Sequence, residues 1–229
     1  MCPTTPANGF RPEFFRFLRE LAKNNNRDWF QAHKSAYETD VLAPSLRFVE
    51  SLAPRVASIS PTLVGDARPV GGSLMRIYRD VRFSKDKSPY RTSMGLHFFH
   101  RNSDGHEGGL PGFFLHLPPG DSFVGAGMWM PPAPDLARIR TAIVRNPTGW
   151  SKARAMGLSE DENSLKRVPS GFDPDHAFSA DLKRKSFVAS TALKDSDVTS
   201  PRFPDRFIAV CKALDPLNRF LARAVGIEY

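Results

Sequence analysis

Residues 112–130 read GFFLHLPPGDSFVGAGMWM, two apolar stretches on either side of Pro118-Pro119-Gly120-Asp121. Proline and glycine in succession make that tetrad a turn, and the flanking aromatic and branched residues suit a pleated surface. Residues 113–117 and 122–130 therefore read as the two strands of a hairpin. Side chains alternate along a strand, so Phe123, Gly125, Gly127 and Trp129 share one face of the second. Two glycines beside two large rings leave open backbone there. A bulge or the close packing of another element accounts for that as well as a ligand does.

Further strand candidates flank the hairpin: residues 74–83 and 93–99 before it, and 186–193 well after it. Ahead of them the period changes to that of helices. Pro12 is followed by Phe14, Phe17, Leu18 and Leu21 at helical spacing, ending at Asn24-Asn25-Asn26. Asp28 is placed to cap a second helix carrying Trp29, Phe30 and Tyr37, and the helical aromatics Phe14, Phe17, Trp29 and Phe30 read as core. Pro44 should interrupt that helix, and a third runs through Leu46 to Val56. Helical patterns resume after Pro134, restart at Pro147, and close the chain over residues 203–225 with a break at Asp215-Pro216. Helices, then strands, then helices with one late strand indicate α+β: a mainly antiparallel sheet with N-terminal and C-terminal helices packed on it. With no repeat and no Gly/Ser linker, residues 1–229 are expected to form a single domain.

The 229 residues carry 32 Lys+Arg against 24 Asp+Glu, a formal charge of +8, with 41% hydrophobic residues including 18 Phe. Such a chain has the material for a folded core. No apolar run approaches the roughly 18 residues of a membrane span, which excludes a membrane-embedded protein. The N-terminus lacks the basic-then-apolar pattern of a secretory signal, and Cys2 and Cys211 form neither a disulfide framework nor a C-x-x-C pair. A cytoplasmic setting is expected, with Cys211 a buried structural thiol. Signatures of P-loops, dinucleotide-binding turns, serine-hydrolase elbows and zinc proteases are absent.

The charge is concentrated. Residues 73–101 hold 7 basic and 2 acidic groups, so more than half of the net charge sits in one eighth of the chain. If residues 74–83 form a strand, Arg76, Tyr78, Asp80 and Arg82 lie on one face, while Arg79 falls among Met75, Ile77, Val81 and Phe83 on the other. A guanidinium on an apolar face is costly unless paired, so Arg79 is either locked to a carboxylate or aimed into a polar cleft. The loop beyond presents Lys85, Lys87, Ser88 and Tyr90, and Arg91 leads into the next strand. Arginine forks, lysine charges and hydroxyls are the groups that hold phosphate or carboxylate. Asp80 and Asp86 can equally neutralise Arg79, Arg82 and Lys87 in a structural network.

The pattern Arg76-x-x-Arg79-Asp80-x-Arg82-Phe83 followed by Asp86-Lys87-x-x-Tyr90 resembles the signature of a bacterial family known only as domain of unknown function 2461. The resemblance extends to Asn24-Asn25-Asn26-Arg27-Asp28-Trp29-Phe30, to the hairpin at Gly112–Leu117 and Gly125–Trp129, and to late motifs around Leu165, Gly171 and Leu182–Phe187. It implies no activity, cofactor or substrate.

Four of the six histidines cluster at positions 97, 100, 106 and 116. His97 and His100 point to opposite faces of a strand, whereas His97 and His116 can be cross-strand neighbours, with Asp80 a conceivable third ligand. Nothing in the spacing demands a metal, and His100 and His106 read as exposed. The expectation is a protein without cofactor or metal site that binds an anion, a phosphorylated or carboxylated small molecule, in a cleft lined by Arg76, Arg79, Asp80, Arg82, Lys87, Tyr90 and Arg91. Catalysis is left open. The alternatives are nucleic-acid binding without catalysis, to which a sequence pI near 9.8 is suited, and a structural or interaction protein whose arginines are internally paired.

Overall fold

The computed structural model describes residues 9–103 and 109–229, so His106 and Cys2 lie outside the described residues. Helix α1 (Pro12–Lys23) starts on its proline and buries Phe14, Phe17, Leu18 and Leu21, the face expected from the spacing. α2 (Arg27–Ala32) is capped by Asn26, whose side-chain oxygen accepts the Trp29 N–H at 2.9 Å. Asp28 is therefore not the cap; it lies in the first turn, where its charge complements the helix dipole. Pro44 does not break the chain either. α3 (Lys34–Ala36) runs into a π-helical turn at Tyr37–Leu42, and α4 (Ala43–Ala57) follows directly. Pro44 then occupies the first turn of α4, where a missing N–H costs nothing.

Among the described residues, five strands form one antiparallel sheet in chain order: β1 (Leu63–Val64), β2 (Met94–His100), β3 (Gly112–Leu117), β4 (Ser122–Met128) and β5 (Phe187–Leu193). This is the α+β arrangement expected from the sequence, with the two-residue β1 added at one edge. Residues 74–83 do not form the expected strand. They lie beside the sheet and touch it through one isolated bridge, Leu74 to Leu96, while a second bridge, Tyr78 to Tyr90, joins them to the residues that precede β2. Local side-chain bonds divert the backbone: the Arg82 N–H donates to Asp80 and the Ser88 N–H to Asp86, which competes with a continuous ladder.

After the sheet come α5 (Ala133–Arg145), α6 (Pro147–Ala153), α7 (Ser179–Leu182), α8 (Asp195–Val198) and α9 (Phe203–Val225). α9 is unbroken through Pro216. One lost backbone bond on an exposed side of the helix is outweighed by a buried face that includes Phe207, Leu214 and Leu221. α9 crosses the inner face of the sheet, where Phe207 lies 5.4 Å from Phe98 and the Asn218 amide donates to the Gly112 carbonyl at 3.1 Å. Cys211 is buried here, and burial raises its thiol pKa. His100 is buried too, against expectation, because its ring bonds the Glu228 carbonyl at 2.8 Å. The basic run Lys183-Arg184-Lys185, directly after α7, is half-buried: Arg184 donates to the Ser186 and Ser159 carbonyls, and Arg140 donates to the Leu182 and Arg184 carbonyls. Beside it, buried Asp181 accepts from the Trp150 indole at 2.8 Å and from Arg154 at 2.5 Å. Among the described residues, no helix is long and apolar enough to cross a membrane.

Candidate functional site

The basic segment is internally braced. Arg79 pairs with Asp86 and donates to the Ser88 carbonyl at 3.1 Å. Asp80 is held by the Arg82 guanidinium at 2.7 Å, and those bonds pull its pKa down to about 2. Asp86 lies below the usual carboxylate range because the Ser88 hydroxyl, the Ser88 N–H and Arg79 all hold its charged form. Lys87 turns back onto the Val81 carbonyl at 3.0 Å. The Tyr90 backbone is pinned from the other side by Asn25, which donates to its carbonyl at 2.9 Å and accepts its N–H at 3.1 Å. The Tyr90 ring, buried, stacks on Phe30 at 4.1 Å, and burial raises its pKa. Asn25 thus supplies the two bonds of a missing strand, and the NNNRDWF motif docks the N-terminal helices onto the segment held by the Tyr78–Tyr90 bridge. Of the seven residues expected to line an anion site, Asp80 and Arg82 pair with each other, while Arg79 and Lys87 are taken up by Asp86 and by backbone carbonyls of the same segment. Arg76 and Arg82 are exposed, and Tyr90 faces the core.

A different place is open. On the outer face of the sheet, away from α9, the registers align His97 with Phe114 and Gly125, and Gly95 with His116 and Phe123. Gly112 and Gly127 form a third row with Val188. Where the two β4 glycines lack side chains, a cavity of about 370 Å³ lies among the Phe114, Phe123 and Trp129 rings, with Met75 and both histidines on its walls. The two glycines differ. At Gly127, φ is +123° and a side chain would collide with the Phe187 carbonyl, so glycine is demanded by the backbone. A Cβ on Gly125 would meet nothing closer than 3.6 Å. Packing does not require glycine at 125; its missing side chain is cavity space.

The polar groups of the cleft are few. The His97 ring forms no hydrogen bond with any described residue, and burial drives its pKa down to about 4. At neutral pH it is an uncharged ring with one donor and one acceptor nitrogen facing an apolar space. His116 is also lowered by burial; the nearby Arg91 charge adds to this and Asp121 opposes it. Its Nε2 contacts the Ser93 hydroxyl at 2.9 Å. Among the described residues none hydrogen-bonds its Nδ1, so this serine–histidine contact lacks the third group that orients a catalytic base. His97 and His116 share the face but sit diagonally across the β2–β3 ladder. Asp80, committed to Arg82, does not join them, and the described residues contain no group of three or more metal-ligating side chains.

Sequence reasoning noted the open backbone at Gly125 and Gly127 but did not name it as a site. The alternation Phe123-x-Gly125-x-Gly127-x-Trp129 was the available signal. What it lacked was the register that sets His97 and Phe114 beside Gly125. A family model described as a conserved hypothetical protein, DUF2461, matches residues 13–220. No curated protein matches the chain.

Proposed function

We propose that this chain, which belongs to the DUF2461 family of conserved hypothetical proteins, binds a small, flat, mainly apolar molecule in the cleft on the outer face of its sheet. The observation that carries this reading is the pairing of an unforced glycine, Gly125, with a cavity of about 370 Å³ walled by aromatic rings. Ligand pockets are concave and apolar with a small number of convergent polar groups, and the cleft has that composition. The rings offer faces for stacking, and neutral His97 offers one hydrogen bond without the cost of a buried charge. Binding rather than catalysis is favoured because none of the described residues orients His116 through its Nδ1. The braced arginines then act as scaffold, holding Met75 against Gly95 at the cleft wall.

The test is calorimetric titration of neutral indole into wild type and Gly125→Leu. Millimolar or tighter binding to wild type, lost in a Gly125→Leu protein that unfolds at the same denaturant concentration, is the expected result. Equal binding by both proteins, or no binding by either, overturns the reading. So does a concentration-dependent dimer that excludes indole, since the face would then be an interface between copies.

A second reading is favoured by one observation: Phe83 is 95% exposed, with Arg82 5.8 Å from its ring. An exposed ring among cations is the stacking platform of single-strand binders. It predicts oligonucleotide affinity that falls steeply with salt and with Phe83→Ala, leaving indole binding untouched.

A further inference from the structure

We infer that Arg91 is the anchor for an anionic group, a carboxylate, on the ligand of the cleft; this rests on the small-molecule reading above and narrows its ligand to an aromatic acid. The inference comes from a census of arginines. Six of those described are not fully exposed: Arg55, Arg79, Arg91, Arg140, Arg154 and Arg184. Arg55, Arg79 and Arg154 hold Asp205, Asp86 and Asp181, while Arg140 and Arg184 donate to backbone carbonyls. Arg91 alone among them has no hydrogen bond or ion pair from its guanidinium to any described residue, and its Nε is buried without an acceptor among them. Leaving a guanidinium partly desolvated and unpaired is costly, and a bound anion relieves that cost.

Its position fits. The Arg91 N–H donates to the Ile77 carbonyl at 2.7 Å, two residues from the cleft-wall Met75. Two residues the other way, the Ser93 hydroxyl contacts the His116 ring at 2.9 Å. Arg91 does not itself line the cavity; its backbone is held beside the end where segment 75–77 and the start of β2 meet His116, close enough for its charge to act on that ring. A planar acid lying over Gly125 with its carboxylate toward this end meets one guanidinium fork, the geometry that favours arginine over lysine. Phosphate is disfavoured, because one arginine and a neutral imidazole balance a single negative charge.

Indole-3-acetate and indole-3-acetamide have nearly the same shape and differ in charge, so their calorimetric titration isolates the anchor. Wild type should hold the acid at least about ten-fold more tightly than the amide, the size of one charge-assisted hydrogen bond. Arg91→Met should bring the acid down to the amide while leaving amide affinity unchanged, and Arg91→Lys should recover only part of the difference. Because the Arg91 guanidinium makes no bond with any described residue, Arg91→Met should unfold at the same or higher urea concentration; strong destabilisation would mark it as scaffold and overturn the inference. Equal binding of acid and amide by wild type overturns it too, while neutral indole binding still upholds the cleft. Failure of neutral indole to bind wild type defeats the cleft reading first.

Discussion

Lowering the pH from 7 toward 4 should weaken the fold through His97 before the carboxylates are engaged. Its ring stands between Phe99 and Phe114 on the outer face of β2, and burial holds its pKa at about 4, against 6.5 for a free imidazole. The unfolded chain therefore takes up a proton near pH 6.5 that the folded chain refuses until about pH 4. Between those limits the unfolded state binds more protons, so stability falls as the pH falls. The full displacement corresponds to about 3 kcal/mol at pH 4, a large share of the roughly 5–15 kcal/mol that holds a typical domain together. His116 is displaced in the same direction and adds to the same window. Above pH 6.5 neither contributes. Asp80, held down to about 2, acts in a lower window: its contribution is present above about 3.8 and is lost as the pH falls toward 2. Urea unfolding of wild type and His97→Gln at half-unit steps from pH 7.5 to pH 4 separates these effects. The variant should lose about 3 kcal/mol less than wild type across that range. Parallel pH profiles for the two proteins would refute the assignment of a neutral, desolvated His97.

Three other substitutions probe the framework. Asn25→Ala removes both side-chain bonds to the Tyr90 backbone, and should cost about 1–3 kcal/mol in urea unfolding by leaving partly buried peptide groups unpaired. Asp181→Ala orphans the buried Trp150 indole N–H and Arg154 together; about 3–5 kcal/mol of destabilisation is expected, read by the same method. Gly127→Ala and Gly125→Ala should diverge: a collision with the Phe187 carbonyl at positive φ makes the first cost several times the roughly 0.5 kcal/mol bound expected for the second. Equal effects would mean that the β4 backbone is not built as described.

The fold was largely legible because its signals are local. Proline at Pro12, the turn at Pro118–Asp121 and the alternation through β3 and β4 each announce an element within a few residues. The misjudged places are those where tertiary contacts or capping geometry decide. Pro216 reads as a helix break, yet the buried face of α9 carries the helix past it. Residues 74–83 alternate like a strand, but Asp80 and Asp86 turn back on their own backbone. The site was less legible for the same reason. Charge density drew attention to Arg79, whose partner Asp86 is seven residues away in sequence. The cleft depends on cross-strand register, which places His97 beside Phe114 and Gly125 across three strands. Arg91 belongs to the expected site residues, but what distinguishes it, a guanidinium without a partner among the described residues, is a property of the folded neighbourhood.

The most direct measurement is a ¹H–¹⁵N spectrum of the full chain, with its tryptophan indoles assigned, during titration with indole-3-acetate. Of the three tryptophans, Trp150 is buried, Trp29 stacks on His33 and Trp129 stands at the cleft rim, 58% exposed. Binding in the cleft should shift the Trp129 indole N–H and the Gly125 and Gly127 amides together, leaving those of Trp29 and Trp150 in place. Shifts confined to residues 76–88, or no saturable shift at Trp129, would contradict the account and return the search to the basic segment.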